Sequence, residues 1–347
     1  MKIKNYNIDD NAETFIIAEV AQAHDGSLGL AHSFIDAVAK TGANAIKFQT
    51  HIANAESTLD EEFRIPMSSQ YKNRWEYWKR MEFTRKQWFE LASHANEKNL
   101  IFLSSPFSLE AAKLLADIGM PAWKIGSGEV FNLPLIDLII ELGGPILLSS
   151  GMSNWKDIEK VVNHTKNKGA EVALFQCTSN YPTSLEDVGL NILGEIKERF
   201  NIPNGLSDHS GSPWPSIAAI ANNADFLEVH VNFDRDMYGP DSSSSLNLAE
   251  LSMICHASKA FKIMRSNPVD KDKSSKKLEK TKFLFTKSLS PINNLPAGTI
   301  LTKDMLTQKK PSGGICSDDI NKVLGKRLKV AVPSNRILKY EYLESNS

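Results

Sequence analysis

Two histidines at the ends of consecutive apolar runs are the clearest sign of chemistry in this chain. They close the segments Gly205-Leu206-Ser207-Asp208-His209 and Phe226-Leu227-Glu228-Val229-His230. At neighbouring strand ends the two imidazoles can hold one divalent cation, with Asp208 and Glu228 placed to bond the ligands or a bound water. The alternative is that both histidines only pack in the core. Their equivalent positions, each at the end of an apolar run, favour a metal site. Nitrogen and oxygen ligands suit manganese, magnesium, iron, cobalt or zinc, and the spacing does not choose among them.

Two lysines and a set of serines occupy comparable positions and predict an anion site. Lys47 and Lys124 each lie at the end of an apolar run. Ammonium groups supply charge and hydroxyls supply directed hydrogen bonds, a combination that suits a phosphate or a carboxylate. Any one of these residues could face solvent or cap a helix, but all of them together favour a small dianion or trianion as the ligand. The serines are Ser104, Ser105, Ser127, Ser149, Ser150 and Ser207.

Three carboxylates, Glu19, Glu129 and Asp241, are expected beside this anion site. A carboxylate at the end of a strand can accept hydrogen bonds from sugar hydroxyls or move a proton. Pairing with Lys47 or Lys124 is the other role open to them, and the two roles are compatible. Cys177 lies deeper in its run and is interpreted as a core residue.

The elements that position these side chains repeat as one unit, an apolar run followed by an amphipathic stretch of helical length. Eight such units, with runs apolar on both faces, are what a closed (β/α)8 barrel requires, so we predict a TIM barrel. In that fold the chemistry lies where strands end, which is where the candidates stand. The predicted strands are 14–20, 45–48, 100–104, 122–125, 145–148, 172–176, 204–206 and 226–231.

Composition limits the classes of function. A formal net charge of −1 and a pI near 6.7 offer no basic field, so neither nucleic acid nor an anionic membrane is an expected partner. Three cysteines in a long chain argue against a disulfide framework and favour the reducing cytoplasm. The first residues lack the apolar core of a signal peptide, and charges interrupt the most apolar segment, so no membrane span is expected.

A second domain is expected because 347 residues exceed the 250 or so that a barrel needs. We predict a barrel domain at 1–265, a polar linker without periodicity at 266–282 and a small β-rich domain at 283–347. In the small domain, apolar runs predict strands at 288–290, 299–301 and 328–332, and 302–306 can begin a helix. About sixty residues bury little apolar surface, so this domain is expected to lean on a partner surface, which can belong to another subunit.

One connection, 50–99, is unusually long. Its last part, 84–97, is predicted as a barrel helix with Thr84 as the N-cap. The remainder has the length of a lid or binding element, although its aromatic residues favour an extra helix packed on the barrel rim.

The motifs, taken in order, resemble the sialic acid synthase family, and the tail resembles that family's antifreeze-like (SAF) domain. The resemblance covers almost the whole chain. In the barrel it lies in Ile16-Ile17-Ala18-Glu19, Lys47-Phe48-Gln49-Thr50, Trp123-Lys124-Ile125-Gly126-Ser127-Gly128-Glu129, Leu148-Ser149-Ser150-Gly151-Met152, Gln176-Cys177-Thr178-Ser179-Asn180-Tyr181-Pro182-Thr183, Gly205-Leu206-Ser207-Asp208-His209, Glu228-Val229-His230 and Gly239-Pro240-Asp241. In the tail it lies in Leu295-Pro296-Ala297-Gly298-Thr299-Ile300 and Val323-Leu324-Gly325-Lys326.

The resemblance implies a metal-dependent condensation of phosphoenolpyruvate with N-acetylmannosamine, or a related 2-acetamido sugar, to N-acetylneuraminate and phosphate. His209 and His230 would hold the cation, Mn²⁺ first and Mg²⁺ or Co²⁺ as alternatives, which would polarise the aldehyde of the open-chain sugar. The implied catalytic residues are Glu19, Lys47, Lys124, His209 and His230. Phosphoenolpyruvate would contact Lys47, Ser105, Lys124, Ser127, Ser149 and Ser207. The sugar would contact Glu19, Gln49, Glu129, Tyr181, Asp241 and Lys310, with Ser179 as a further substrate contact.

The family resemblance also implies a domain-swapped homodimer, in which the SAF domain of one chain covers the barrel mouth of the other. Where the family often offers Arg-Pro-Gly to the acyl group of the sugar, this chain has Lys310-Pro311-Ser312. A lysine does not reproduce the guanidinium fork. N-acetylmannosamine is the expected acceptor, and the precursors of legionaminic and pseudaminic acids are close alternatives.

Two other classes of protein remain open. A Schiff-base aldolase would use Lys47 or Lys124 as its nucleophile, since such lysines also end barrel strands. A carbohydrate-binding or ice-binding protein is suggested by the tail alone, and it leaves the polar residues of the barrel mouth without a role.

Overall fold

The structure is a computed structural model that describes residues 1–9, 12–63 and 70–344. The chain divides into two compact units, Met1–Asn267 and Pro268–Ser347, and each is described by itself. The first begins with a short antiparallel hairpin of Lys2–Ile3 and Tyr6–Asn7.

The first unit is the predicted TIM barrel. Its eight strands form one parallel sheet in the order β3-β2-β1-β8-β7-β6-β5-β4, and β3 and β4 lie side by side so that the barrel is nearly closed. All eight predicted runs are strands, which confirms the fold class. The strands are β1 (Phe15–Ala21), β2 (Ala45–Thr50), β3 (Ile101–Pro106), β4 (Trp123–Ile125), β5 (Ile146–Ser149), β6 (Val172–Cys177), β7 (Asn204–Asp208) and β8 (Phe226–His230).

Side chains along each strand alternate between the barrel interior and the surrounding helices. In β2, Lys47 and Gln49 face the interior, whereas Ile46 and Phe48 pack in the core beneath the helices. The same alternation in the other strands decides which of the polar residues at the strand ends reach the central cavity.

An aromatic floor fills the barrel interior below the polar residues. The rings of Phe15 and Phe175 lie 5.7 and 5.4 Å from the ring of Phe226. Gly205 makes room for them, because a Cβ there would lie 2.8 Å from Cβ of Phe226 and 2.9 Å from the Phe175 ring. The floor is fully buried.

Helices surround the barrel, and their ends follow ordinary capping chemistry. The predicted N-cap of helix α4 (Arg85–Glu97) is confirmed, since Thr84 Oγ1 accepts from Gln87 N at 3.3 Å while Gln87 Oε1 accepts from Thr84 N at 2.8 Å. None of the helices in the described ranges combines the length and apolar character needed to cross a bilayer. The helices of this unit are α1 (Leu28–Val38), α2 (Ala53–Glu56), α3 (Arg74–Met81), α4 (Arg85–Glu97), α5 (Leu109–Ile118), α6 (Leu133–Leu142), α7 (Trp155–Asn167), α8 (Asn191–Phe200), α9 (Pro213–Ala221) and α10 (Leu248–Ser266).

The long connection between β2 and α4 carries the extra helices α2 and α3. Ala53, Tyr77, Trp78 and Met81 form a small buried cluster there. The prediction that the aromatic residues pack an extra helix on the rim is therefore confirmed for Tyr77 and Trp78. Residues 64–69 of this connection lie outside the described residues.

The second unit contains helices α11 (Lys271–Lys277), α12 (Glu279–Phe285) and α13 (Ile320–Val323), and strands β9 (Ser288–Pro291) and β10 (Leu306–Lys309), which pair antiparallel. Its core contains Leu289, Leu301, Val323 and Leu338. The predicted linker is mostly helical, because Asp270 caps α11 and the lysines of α11 favour helix. The helix was not predicted because it has no apolar stripe, so its sequence shows no helical periodicity.

Two strand predictions in this unit were wrong. The runs at 299–301 and 328–332 form only isolated bridges, such as Ile300 with Arg327 and Val332 with Leu295, because these segments meet one residue at a time around the small core. The helix expected at 302–306 is a single 3₁₀ turn, Lys303–Met305. Strand β10 was missed because its residues are mainly polar.

Candidate active site

A cavity of about 500 Å³ opens at the C-terminal ends of the barrel strands. Every catalytic and substrate-contacting residue that the family resemblance implies, except Lys310, lines it. These residues are Glu19, Lys47, Gln49, Ser105, Lys124, Ser127, Glu129, Ser149, Ser179, Tyr181, Ser207, His209, His230 and Asp241.

Two lysines and two glutamates form the deepest polar layer, directly above the aromatic floor. The Lys47 ammonium contacts Oε2 of Glu19 and lies 3.8 Å from Oε2 of Glu228. Lys124 Nζ lies 3.3 Å from Oε1 of Glu228 and 5.1 Å from the centroid of the Phe175 ring. The four charges sum to zero, so an anion that enters this layer competes with carboxylates for the same ammonium groups.

Strand β1 ends in a distorted backbone that fixes one of these carboxylates. Ala21 adopts a positive φ of 45°, and its amide donates to Oε1 of Glu19 at 2.8 Å. The register between β1 and β2 shifts at the same point. Such a conformation is sparsely populated by non-glycine residues and is found where a side chain must be aimed.

Hydroxyl groups surround the lysines. Ser105 Oγ accepts from Lys47 Nζ at 3.1 Å, Ser149 Oγ contacts Lys124 Nζ, and Ser207 Oγ donates to Oε1 of Glu228 at 3.2 Å. Together with the ammonium groups they are a set of donors converging on one deep space.

Three predicted candidates do not reach that space. Ser104 bonds Thr50 Oγ1 at 2.7 Å, Ser150 donates to the Phe175 carbonyl at 2.9 Å, and Asp208 accepts from Ser210 N and Ser216 Oγ. Ser104 and Asp208 face the helices because side chains alternate along a strand, so the prediction that they converge on the mouth was wrong. Glu228 was expected beside the histidines, but its carboxylate bonds the lysines.

Burial and neighbouring charges shift the pKa values of this layer. Burial, aided by the like charge of Lys124, lowers the pKa of Lys47 to about 8 against the opposing attraction of Glu228. Burial alone would raise the pKa of Glu228, but the charges of Lys124 and Lys47 outweigh it and lower that pKa. Glu228 is therefore ionised at neutral pH, and Lys47 loses its proton more easily than an exposed lysine.

The two histidines face one another across the cavity, with ring centroids 5.2 Å apart. His209 Nδ1 lies 2.9 Å from the Thr178 carbonyl, which can only accept, so Nδ1 carries a hydrogen and Nε2 points to Tyr181 Oη at 3.1 Å. A ring held by a carbonyl in this way is typical of metal-binding histidines. Burial opposes the charged form, yet the contacts with Cys177 and Thr178 outweigh it and raise the pKa of His209.

The sequence suggested that Cys177 is a core residue, but the structure gives it a second position as well. Its thiol lines the cavity, with Sγ 3.6 Å from Ser127 Oγ and 3.9 Å from His209 Nδ1. Side chains alternate along β6, so Cys177 lies on the same face as Phe175, which points into the barrel. This alternation could have predicted that Cys177 faces the cavity.

The outer wall of the cavity comes largely from the long connection, and most of it was not predicted. His51 lies one residue beyond β2 and continues the alternation of Lys47 and Gln49, so extending that alternation past the strand end would have predicted it. Trp78 Nε1 donates to Glu61 Oε2 at 3.0 Å, and Arg74 Nη1 lies 3.2 Å from Glu61 Oε1. The outer-wall residues from this connection are His51, Glu56, Glu61, Phe63, Arg74, Tyr77 and Trp78, with Gln22 and Phe107 beside them.

Glu129 and Asp241 complete the outer wall. Glu129 accepts from Asn132 Nδ2 at 2.8 Å, and burial with the nearby charge of Glu56 raises its pKa despite that bond. Asp241 Oδ2 lies 3.9 Å from His230 Nδ1. Lys310 belongs to the second unit, where its ammonium stands 4.6 Å from the centroid of the Phe285 ring.

The fold and this cavity define an enzyme of the (β/α)8-barrel class with two buried lysines next to a histidine pair. The chain belongs to the NeuB family, which it matches over residues 34–269, and residues 286–344 match the SAF domain. The family resemblance seen in the motifs is thereby confirmed.

Known relatives align over nearly the full length. The N,N'-diacetyllegionaminic acid synthase of Campylobacter jejuni is 34% identical over 320 residues, covering 90% of this chain and 95% of the relative. The N-acetylneuraminate-9-phosphate synthase of Mus musculus is 31% identical over 344 residues, covering 96% and 93%. The crystal structure of the N-acetylneuraminic acid (sialic acid) synthetase from Leptospira borgpetersenii serovar Hardjo-bovis, in complex with citrate, has a TM-score of 0.71 and 27% identity, covering 81% of this chain and 95% of that one. These relatives confirm the predicted enzyme class, a nonulosonate synthase.

Proposed function

We propose that this protein condenses phosphoenolpyruvate with an unphosphorylated 2-acetamido sugar to give a nine-carbon 2-keto acid and inorganic phosphate. The observation that carries the proposal is the buried pair Lys47 and Lys124 below the facing histidines His209 and His230, in a barrel of the NeuB family. The family limits the reaction class, and the cavity limits where each substrate binds.

Phosphoenolpyruvate is assigned to the deep layer. Its phosphate and carboxylate need several donors in a water-poor space, and the lysines and the Ser105, Ser149 and Ser207 hydroxyls supply them. Ser127 donates to Cys177 Sγ and accepts from Gly151 N, so it closes the same wall.

A divalent cation fits between the histidines, because Nε2 of His209 carries no hydrogen and can exchange its contact with Tyr181 Oη for a metal, and the His230 ring stands edge-on to the His209 ring. Among the described residues no group of three or more His, Cys, Asp or Glu side chains is spaced to hold a metal, so two histidines would leave positions for substrate and water. When bound, the cation supplies positive charge that polarises the sugar aldehyde. Mn²⁺ is the first choice, with Mg²⁺ and Co²⁺ as alternatives.

The acceptor sugar is assigned to the outer half, beside Glu19, Gln49, Glu129, Tyr181 and Asp241. The double-bond electrons of phosphoenolpyruvate form a carbon–carbon bond from C3 to the aldehyde carbon, and the aldehyde oxygen takes a proton. Water then adds to C2. The bond between C2 and the bridging phosphate oxygen breaks, and phosphate leaves as the ketone forms at C2. Glu19, held by Ala21 N at the junction of the two halves, is positioned to accept a proton from that water.

The charge of the outer half argues against a phosphorylated acceptor. Glu56, Glu61, Glu129 and Asp241 line it, and Arg74 is the one lysine or arginine that the described residues place there, already paired with Glu61. A second phosphate would meet net negative charge. N-acetylmannosamine is therefore the proposed acceptor, and a 2,4-diacetamido sugar is the second candidate because the legionaminic acid synthase is 34% identical.

We further propose a homodimer in which the second unit of one chain caps the barrel mouth of its partner, with Lys310 at the acyl end of the sugar. Exposed apolar side chains support a capped mouth, because they stand in the segments that follow the barrel strands or at the start of the next helix. They are Leu59, Phe131, Met152, Leu185, Trp214 and Tyr238.

Phosphate release from phosphoenolpyruvate tests the function directly. We expect release with N-acetylmannosamine or a 2,4-diacetamido sugar, loss of release with a chelator, and little with N-acetylmannosamine 6-phosphate, whose C6 would become C9 of the product. Release with no amino sugar would overturn the proposal. Trapping of a substrate on Lys47 or Lys124 by borohydride, with indifference to chelator, would favour the aldolase instead.

A further inference from the structure

His51 is a buried histidine of the cavity wall with no role in the reaction described so far. Its ring is clamped between two aromatic rings, with centroids 3.9 Å from Trp78 and 4.6 Å from Phe107 and interplanar angles of 14° and 15°. It is only 4% exposed. A ring held on both faces has a fixed orientation, so its two nitrogens point in fixed directions.

Glu56 determines which nitrogen of His51 carries hydrogen. Glu56 Oε1 lies 2.6 Å from His51 Nδ1, and its Oε2 accepts from Ile52 N at 3.3 Å. Because a carboxylate only accepts, Nδ1 is the protonated nitrogen of the neutral ring and Nε2 is left as an acceptor.

His51 Nε2 in turn lies against two side-chain amides, 3.1 Å from Gln22 Nε2 and 3.2 Å from Gln49 Oε1. Gln22 Nε2 also donates to Gln49 Oε1 at 2.5 Å, so the Gln22 amide hydrogens lie between two acceptors. Gln49 Oε1 is therefore already used as an acceptor. Within the described ranges, Gln49 Nε2 and Gln22 Oε1 have no hydrogen-bond partner, and both residues line the cavity.

We propose that His51 is a positioning residue for the acceptor sugar, and that the chain from Glu56 through His51 and Gln22 holds Gln49 with its N–H groups toward the sugar. Gln22 Nε2 donates to Gln49 Oε1, so the N–H groups of Gln49 and the carbonyl of Gln22 are left to bind a ligand. The cavity wall thus offers a donor at Gln49 and an acceptor at Gln22, which complements the carbonyl and N–H of an acetamido group. This inference rests on the proposed function.

Three variants test the proposal with steady-state kinetics on phosphoenolpyruvate and the accepted amino sugar. His51→Phe keeps a ring between Trp78 and Phe107 but removes both nitrogens. Gln49→Glu keeps the acceptor for Gln22 and removes the donor. Each should raise the KM of the sugar about tenfold, the effect of one well-placed hydrogen bond, with the KM of phosphoenolpyruvate within about twofold of the unaltered protein. The double variant should be no worse than Gln49→Glu alone, because His51 acts through Gln49.

A matched control separates positioning from simple stability. His164→Phe removes another histidine–carboxylate pair, with Asp137 at 2.6 Å, outside the cavity, and should leave both KM values unchanged. Additive effects in the double variant, or an unchanged sugar KM in Gln49→Glu, would overturn the proposal while leaving the proposed function intact. No turnover by the unaltered protein would overturn both.

Discussion

The ammonium of Lys124 lies 3.3 Å from Oε1 of Glu228, although both side chains are almost completely buried. Glu228 lies between the two lysines of the cavity and is the carboxylate that they share. A carboxylate between two buried ammonium groups stabilises them when no anion is bound, and it also opposes an anion that binds there.

Replacing that counter-ion should therefore change stability and anion affinity in opposite directions. Glu228→Gln leaves two buried ammonium groups with only Glu19, and we expect the free energy of unfolding to fall by about 3–5 kcal/mol. The rise in Tm on adding phosphoenolpyruvate should become larger than in the unaltered protein. Thermal unfolding with and without ligand measures both effects. Glu171→Gln, whose side chain is 61% exposed, is the control and should change neither.

Loss of either lysine should weaken phosphoenolpyruvate specifically. Lys47→Met or Lys124→Met removes a charge-assisted contact, and we expect the KM of phosphoenolpyruvate to rise about 10- to 100-fold or turnover to be lost, while circular dichroism shows a folded barrel. Lys271→Met, on an exposed helix of the second unit, should do neither. An unchanged KM in both cavity variants would contradict the assignment of the deep layer.

The pKa of Lys47, lowered to about 8 by burial, should appear in the pH profile. Since the anion binds the protonated form, kcat/KM for phosphoenolpyruvate should be level below that pKa and fall about tenfold per pH unit above it. Bound phosphoenolpyruvate favours the charged lysine, so the corresponding decline in kcat should begin at higher pH. A kcat/KM that stays constant up to pH 10 or so would show that Lys47 is not the required cation.

The histidine pair should be needed for both metal binding and turnover. His209→Ala and His230→Ala should each abolish activity and reduce the Mn²⁺ bound per chain at equilibrium dialysis, because each removes one of two nitrogen ligands. His256→Ala, on the exposed surface of α10, is the matched control. Full turnover by either cavity variant in the presence of chelator would exclude the metal assignment.

Exchange of caps between subunits predicts complementation. A chain truncated after Asp270 should retain a folded barrel, since the first unit has its own core, but lose sugar turnover. Mixing it with an inactive His209→Ala chain would give heterodimers in which one intact barrel is capped in trans. Recovered activity would support the exchange, and confirmed heterodimers without activity would favour capping within one chain.

The sequence predicts the barrel because most of its strands are apolar runs buried on both faces, and the charged residues near the ends of those runs are easy to recognise. It also predicts the set of residues around the cavity, because a closed parallel barrel brings all strand ends to one mouth. The positions of Ser104 and Asp208 were predicted wrongly because the prediction considered only their place at strand ends. It did not consider that side chains alternate between the two faces of a strand.

The outer wall and the small domain were harder to predict for a different reason. Arg74, Trp78 and Glu61 reach the cavity only through the packing of α3 on the rim, which depends on contacts distant in sequence. In the second unit, pairing occurs at single residues such as Leu328 with Leu343, too short to produce a periodic pattern. The role of Lys310 depends on the placement of the two units and stays a prediction.

The aromatic floor of Phe15, Phe175 and Phe226 has a consequence for the sequence of events in a catalytic cycle. It seals the far end of the barrel, so both reactants enter, and both products depart, through one opening. A molecule seated on Lys47 and Lys124 lies behind anything held by Gln49 or Trp78. We therefore expect compulsory-order kinetics, in which phosphoenolpyruvate binds before the sugar and the nine-carbon acid dissociates before phosphate is free to leave.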